Sequence, residues 1–299
     1  MRFLSLVSTV VLSVAAAATL GKRAVTPGTL SQVTDFGTQP TNASFYLYVP
    51  KNLAASPGVI VAIHYCGGSA GAYYRGTPYH SLSEQYGFLV IYPSSPGTCW
   101  DVSSKATLTH NGGGDSNTIA NMVTWTLDNY EADAAKVFVT GSSSGAMMTN
   151  VMAATYPELF NAAVVYSGVP AGCFASSSNA VRAWNNTCAQ GQSVATPEAW
   201  ANVVFNMYSG YNSTRPKMLI YHGSDDPILL PPNYQETMKQ WCGVFGYDYS
   251  QPASIQQDTP QTNYTTTIWG PNVEGIYGTG VGHSVPIRGS DDMKWFGFA

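Results

Sequence analysis

Short continuous runs of apolar residues punctuate this chain, separated by stretches whose apolar positions recur at the helical period. Phe45-Tyr46-Leu47-Tyr48-Val49, Val59-Ile60-Val61-Ala62-Ile63 and Phe88-Leu89-Val90-Ile91-Tyr92 predict strands in the first third. Val137-Phe138-Val139, Ala162-Ala163-Val164-Val165-Tyr166, Met218-Leu219-Ile220-Tyr221 and Thr266-Thr267-Ile268-Trp269 predict four more. Several of these runs do not alternate with polar residues, the pattern of strands covered on both faces. Between them, Ile119, Met122, Val123, Trp125 and Leu127 repeat near the helical period after Asp115-Ser116, an acceptable N-cap. Ser144 to Tyr156 and Asn233 to Val244 also predict helices, the second following Pro231-Pro232. Strands alternating with helices predict an α/β fold with a mostly parallel central sheet flanked by helices. No internal repeat and no Ser/Pro/Thr-rich linker interrupts the pattern, so one domain is expected.

Composition narrows the function. The chain is 44% hydrophobic and 12% aromatic, ample for a core and too apolar for disorder. Only 10% of residues are charged, and the net charge is −4 with no basic run. Phosphate binding needs a positive footprint, so no nucleic-acid partner is expected. No CxxC pair or His/Cys cluster is present, and neither a metal nor a cofactor is predicted.

The N-terminus points to export. Met1-Arg2-Phe3 precedes the apolar stretch from Leu4 to Ala18, too short to span a bilayer but suited to a signal peptide over residues 1–18. Residues 19–23 read as a short propeptide ending at the dibasic pair Lys22-Arg23, leaving 24–299 as the catalytic domain. No other segment has the length and hydrophobicity to cross a membrane, so none is expected as a partner. Outside the cell, the sequons at Asn42, Asn185, Asn212 and Asn263 are candidate glycosylation sites. Four of the five cysteines are disulfide candidates. Cys173 and Cys188 bracket a Ser/Asn-rich loop, Cys66 and Cys99 each follow a predicted strand, and Cys242 reads as a buried thiol; the spacing leaves the connectivity open.

The most informative stretch is Gly141-Ser142-Ser143-Ser144-Gly145, which follows a predicted strand and precedes a predicted helix. That is the G-x-S-x-G nucleophile elbow in its required context, with Ser143 at the tip. A serine needs a base within reach to become a nucleophile. Where the triad runs Ser, acid, His along the chain, the base lies C-terminal to Ser143, which leaves His222 and His283. His283 fits the order better, on the glycine-flanked loop Gly280-Val281-Gly282-His283. The acid then falls in His222-Gly223-Ser224-Asp225-Asp226-Pro227, where Asp225 and Asp226 are hard to separate, although Pro227 restricts the backbone of Asp226. Oxyanion donors are expected at the Ser144 amide and in the loop His64-Tyr65-Cys66-Gly67-Gly68-Ser69.

The set His64-Tyr65-Cys66-Gly67-Gly68, Cys99-Trp100-Asp101, Gly141-Ser142-Ser143-Ser144-Gly145, His222-Gly223-Ser224-Asp225-Asp226 and Gly282-His283-Ser284-Val285-Pro286 resembles fungal secreted acetylxylan esterases of carbohydrate esterase family 1. These are similar to poly(3-hydroxybutyrate) depolymerase-like α/β-hydrolases. The resemblance covers nearly the whole chain after residue 23. It implies the α/β-hydrolase fold, Ser143 as nucleophile, His283 as base and Asp226 as acid. It also implies oxyanion amides at Cys66 and Ser144, and Trp100 with His64 at the substrate cleft. The implied activity is deacetylation of acetylated xylan by a cofactor-free secreted monomer. Feruloyl esterases share most of these motifs, which makes release of ferulic acid the alternative. A non-catalytic glycan-binding protein is the rival outside enzymology, and a complete triad disfavours it.

Overall fold

The computed structural model describes residues 25–299, so the expected signal peptide (1–18) and propeptide (19–23) lie outside the described residues. A ten-stranded sheet forms the frame, in the order β1-β2-β4-β3-β5-β6-β7-β10-β9-β8. Its centre is parallel: β4 (Leu89–Ser94), β3 (Val59–Ile63), β5 (Val137–Ser142), β6 (Ala162–Tyr166), β7 (Lys217–Gly223) and β10 (Val273–Gly278). Antiparallel strands extend both ends, β1 (Leu30–Val33) and β2 (Ser44–Tyr48) on one side, β9 (Tyr264–Gly270) and β8 (Ser254–Gln257) on the other.

The unbroken apolar runs have the expected physical cause. Val59, Val61 and Ile63 of β3 point into one core, while Ile60 and Ala62 point into a second on the opposite face. The first core is closed by α3 (Asp115–Tyr130), α4 (Ser144–Thr155), α6 (Pro197–Met207) and α7 (Pro232–Phe245), through Ile119, Met148, Trp200 and Trp241. The second is closed by α1 (Ala70–Gly76), α2 (Tyr79–Tyr86) and α8 (Gly289–Phe296), through Tyr73, Tyr79 and Phe296. A four-residue α5 (Asn186–Ala189) lies in the loop before α6.

Two local expectations change. Gly114, not Asp115 or Ser116, is the N-cap of α3; Asp115 sits in the first turn, where it accepts from the Asp101 amide (3.0 Å) and pairs with Arg182 (3.2 Å). That charge pairing, with the helix dipole, is a better use of a buried carboxylate than capping. Strand β10 was not apparent in the hydrophobic pattern, because Glu274 and Gly275 interrupt it; Gly275 is needed because a Cβ there would collide with the Tyr234 hydroxyl.

Cys66 is joined to Cys99 and Cys173 to Cys188, while Cys242 is free and buried. Burial pushes the Cys242 thiol up to about 12, so it behaves as an apolar filler. Among the sequons, Asn42, Asn212 and Asn263 are exposed. Asn185 is different: its side chain caps α5, accepting from the Cys188 amide and donating to the Cys173 carbonyl at 3.1 Å each.

Candidate active site

The loops at the C-terminal ends of the central parallel strands build the site. Ser143 sits between β5 and α4 with φ +54° and ψ −119°, a strained conformation for a residue bearing a Cβ. Its amide donates to the Tyr166 carbonyl (2.9 Å), which holds the turn in place. The flanking glycines are steric requirements. A Cβ on Gly141 would strike the Gly145 carbonyl, and one on Gly145 would strike the carbonyls of Ile63 and His64.

His283 arrives from the loop after β10 and bridges the other two residues. Its Nε2 is 2.8 Å from Ser143 Oγ and its Nδ1 is 2.8 Å from Asp226 Oδ2. An ionised carboxylate only accepts, so Nδ1 carries the proton and Nε2 is left as the acceptor for the serine hydroxyl. Asp226 follows β7 and is 2% exposed. Its Oδ1 accepts from the amides of Ile228 (2.9 Å) and Leu229 (3.0 Å). Burial by itself would raise this carboxyl, but hydrogen bonds from His222, His283 and the Ile228 amide outweigh it and hold it well below the usual carboxylate range. Gly223 lets the two loops meet, since a Cβ there would collide with the carbonyls of Val281 and Gly282.

A cavity of about 520 Å³ opens over this line of residues, with Ser143, Ser144, Cys66 and His283 all in its wall. Ser144 is the first residue of α4, so its amide is one of the helix's unpaired N-terminal donors. The Cys66–Cys99 bridge ties the loop after β3 to the loop after β4, which fixes the backbone around Cys66. Asp225, by contrast, is exposed, and among the described residues its carboxylate accepts only from the Ser224 hydroxyl (2.7 Å). The turn therefore separates the two aspartates that spacing alone did not.

The two expected cleft residues are displaced. Trp100 is 1% exposed, with its indole N–H on the His64 carbonyl (2.9 Å) and its amide on Ser144 Oγ (2.9 Å). His64 is also buried, its Nδ1 on the Tyr65 carbonyl (2.7 Å) and its Nε2 accepting from the Ser95 amide (3.0 Å). Neither lines the cavity; both brace its wall from behind, their ring nitrogens and the Trp100 amide already satisfied internally. The side chains at the mouth are instead Tyr65 (45% exposed), Trp184 (58%) and Ile228 (48%). No local pattern singles these three out, although Trp184 is one of two aromatics, with Phe174, in the Ser/Asn-rich segment between Cys173 and Cys188. Among the described residues, no group of three or more His, Cys, Asp or Glu is placed to hold a metal ion.

Comparison with known proteins gives the family. The family model described as Esterase PHB depolymerase matches residues 43–257, more than half of the chain. The chain belongs to the PHB depolymerase esterase family. Curated relatives of this esterase include acetylxylan esterase A of Aspergillus awamori, 68% identical over 274 residues (91% of this chain, 90% of that protein). The probable acetylxylan esterase A of Neosartorya fischeri is 68% identical over 277 residues (92% and 75%). The solved acetyl xylan esterase from Aspergillus awamori superposes with a TM-score of 0.90 at 68% identity, covering 91% of this esterase and 100% of that chain. Esterase 2 of Thermogutta terrifontis, 12% identical with a TM-score of 0.51 over 91% of each chain, shares the fold alone. The architecture is that of the α/β-hydrolases. The family match ends before His283.

Proposed function

We infer that this esterase removes O-acetyl groups from acetylated xylan through an acetyl-enzyme on Ser143. The observation that carries the reading is the hydrogen-bonded line from Asp226 through His283 to Ser143, each step 2.8 Å, under an open cavity. The acyl group is taken from the relatives named above, which are acetylxylan esterases; this supports acetyl over feruloyl.

Ser143 Oγ attacks the acetyl carbonyl while His283 Nε2 takes its proton. Asp226 stays ionised and offsets the positive charge that develops on the imidazole. The amides of Cys66 and Ser144 receive the tetrahedral oxyanion, each such donor contributing about 3 kcal/mol to the barrier reduction. His283 then returns the proton to the departing sugar oxygen. Water repeats the cycle on the acetyl-enzyme, releasing acetate and restoring Ser143. The carbonyl chemistry needs no metal or organic cofactor.

The reading includes export, with 1–18 as signal peptide, 19–23 as propeptide and 24–299 as a single catalytic domain acting as a monomer. Two disulfides suit an oxidising compartment and support it. Ser143→Ala is expected to abolish acetate release from acetylated xylan while leaving the fold intact. Release above about 1% of the wild-type rate would contradict an acyl-enzyme on this residue. A parallel assay on methyl ferulate tests the acyl assignment, and a higher kcat/KM there than on acetylated xylan would reverse it.

A further inference from the structure

The stretch His222-Gly223-Ser224-Asp225-Asp226 holds a second buried histidine that the hydrolytic scheme leaves without a role. His222 is the penultimate residue of β7, four residues before the acid and 1% exposed. Its Nε2 lies 2.9 Å from the Leu229 carbonyl oxygen and 3.3 Å from Asp226 Oδ2. A carbonyl can only accept, so Nε2 carries the ring proton and donates it to Leu229, with Asp226 Oδ2 beside the same N–H. Nδ1 is buried and has no hydrogen-bond partner among the described residues. All of the ring's hydrogen bonding is therefore spent on one side, toward the acid.

Leu229 closes the arrangement. Its amide donates to Asp226 Oδ1 (3.0 Å) and its carbonyl accepts from His222, so Leu229 links acid and imidazole, and the 3.3 Å approach of Nε2 to Oδ2 closes the ring. Oδ1 is taken by two backbone amides, while Oδ2 is shared between His283 at 2.8 Å and His222 at 3.3 Å. Leu229 and Ile228 also line the cavity, so this ring fixes the wall as well as the carboxylate.

We propose that His222 is a positioning residue of the triad: through Nε2–H it fixes the Asp226 carboxylate and sets how strongly Oδ2 draws on the proton of His283. The proposal rests on the acyl-enzyme reading above. The other titratable groups around the pair are Tyr234 from α7, whose ring is 6.4 Å from that of His222, Tyr277 opposite His222 on β10, Asp225 on the turn, and His283 itself. Burial raises both phenols, so neither ionises in the acid range. Asp225 is exposed and screened by solvent. The acid limb of the rate profile therefore reports on His283 and the carboxylate beneath it.

The test is kcat and KM for 4-nitrophenyl acetate across pH, per active site titrated with an organophosphate. His222→Phe keeps ring volume without the donor, and His222→Asn has an amide too short to reach Oδ2. In both, kcat is expected to fall about tenfold with KM little changed, the loss of one hydrogen bond to a charged group. With one donor fewer, the carboxylate holds the His283 proton more tightly, so the acid limb moves to higher pH by about half a unit. His222→Gln restores an N–H at the right reach and is expected to recover most of the rate and return the limb. If Phe and Asn both keep kcat within about twofold of wild type with an unmoved limb, or if folded Gln rescues neither readout, the proposal is wrong. Ser143→Ala separates the two levels. Activity retained there would sink the acyl-enzyme reading itself, whereas an inactive Ser143→Ala beside unaffected His222 variants would sink only the positioning role.

Discussion

Two buried aspartates, one on the turn after β7 and one on α8, show how little burial alone says about charge. Asp226 is 2% exposed and Asp292, on α8, is 0% exposed. Burial raises both. At Asp226 it is outweighed by imidazole N–H groups and rigid backbone amides, and the carboxyl stays ionised. The hydrogen bonds to the Asp292 carboxyl among the described residues come from hydroxyls, Tyr79 (2.8 Å) and Tyr166 (2.6 Å), and burial pushes it up to about 7. Fixed N–H donors on a turn stabilise the anion more than two phenols do, because the amides cannot rotate away or act as acceptors. Asp226 is thus caged by nitrogen donors, while Asp292 is held by rings that also pack.

The comparison can be broken most directly at Asp226. Asp226→Asn should lower kcat by about a thousandfold or more with KM little altered, because the imidazole loses its orienting anion and favours the wrong tautomer. Steady-state kinetics on 4-nitrophenyl acetate measures this; a loss below tenfold would remove Asp226 from the triad. Asp292 should respond in stability rather than in rate. Its folded value is raised above the unfolded carboxylate value, so the folded state binds the extra proton between the two. Stability from this group is therefore full below about pH 4 and is lost as pH rises toward about 7. Thermal unfolding of Asp292→Asn at several pH values should show that slope flattened, with kcat within about threefold of wild type. Asp226 has the opposite sign: its lowered value contributes stability above the unfolded carboxylate range, lost only as pH falls through the folded value.

Smaller effects sharpen the picture. Tyr79→Phe removes a hydroxyl that touches both Asp292 and Thr140 (3.2 Å), and should cost about 1–3 kcal/mol in denaturant unfolding without changing KM. Asp225→Asn should change kcat/KM by no more than about twofold, since its carboxylate faces solvent. A large effect there would mean that the acidic pair acts together on the site.

Much of this architecture was legible from local pattern. The seven expected strands all occur, because continuous apolar runs can be buried only between two layers. Strands β1, β8 and β10 were not evident: the first two lie toward the sheet ends with few apolar residues, and Glu274 and Gly275 break the third. The elbow at Ser143 was readable because a strand, two glycines and a helix are all local requirements of that turn. The burial of Trp100 and His64 behind the cavity wall was not legible, because residue type says nothing about which side of a loop faces the solvent.

By itself, the sequence determined the alternation of strands and helices and the strand-turn-helix around Ser143. These depend on backbone geometry and on periodicity, which neighbouring residues dictate. Only the tertiary structure decided which aspartate meets His283, that His222 shares the same carboxylate, and that Tyr65 and Trp184 rather than Trp100 stand at the mouth. Those facts depend on loops separated by up to 140 residues converging at the ends of parallel strands. There, distance, burial and the competition for hydrogen-bond donors act only once the sheet has formed.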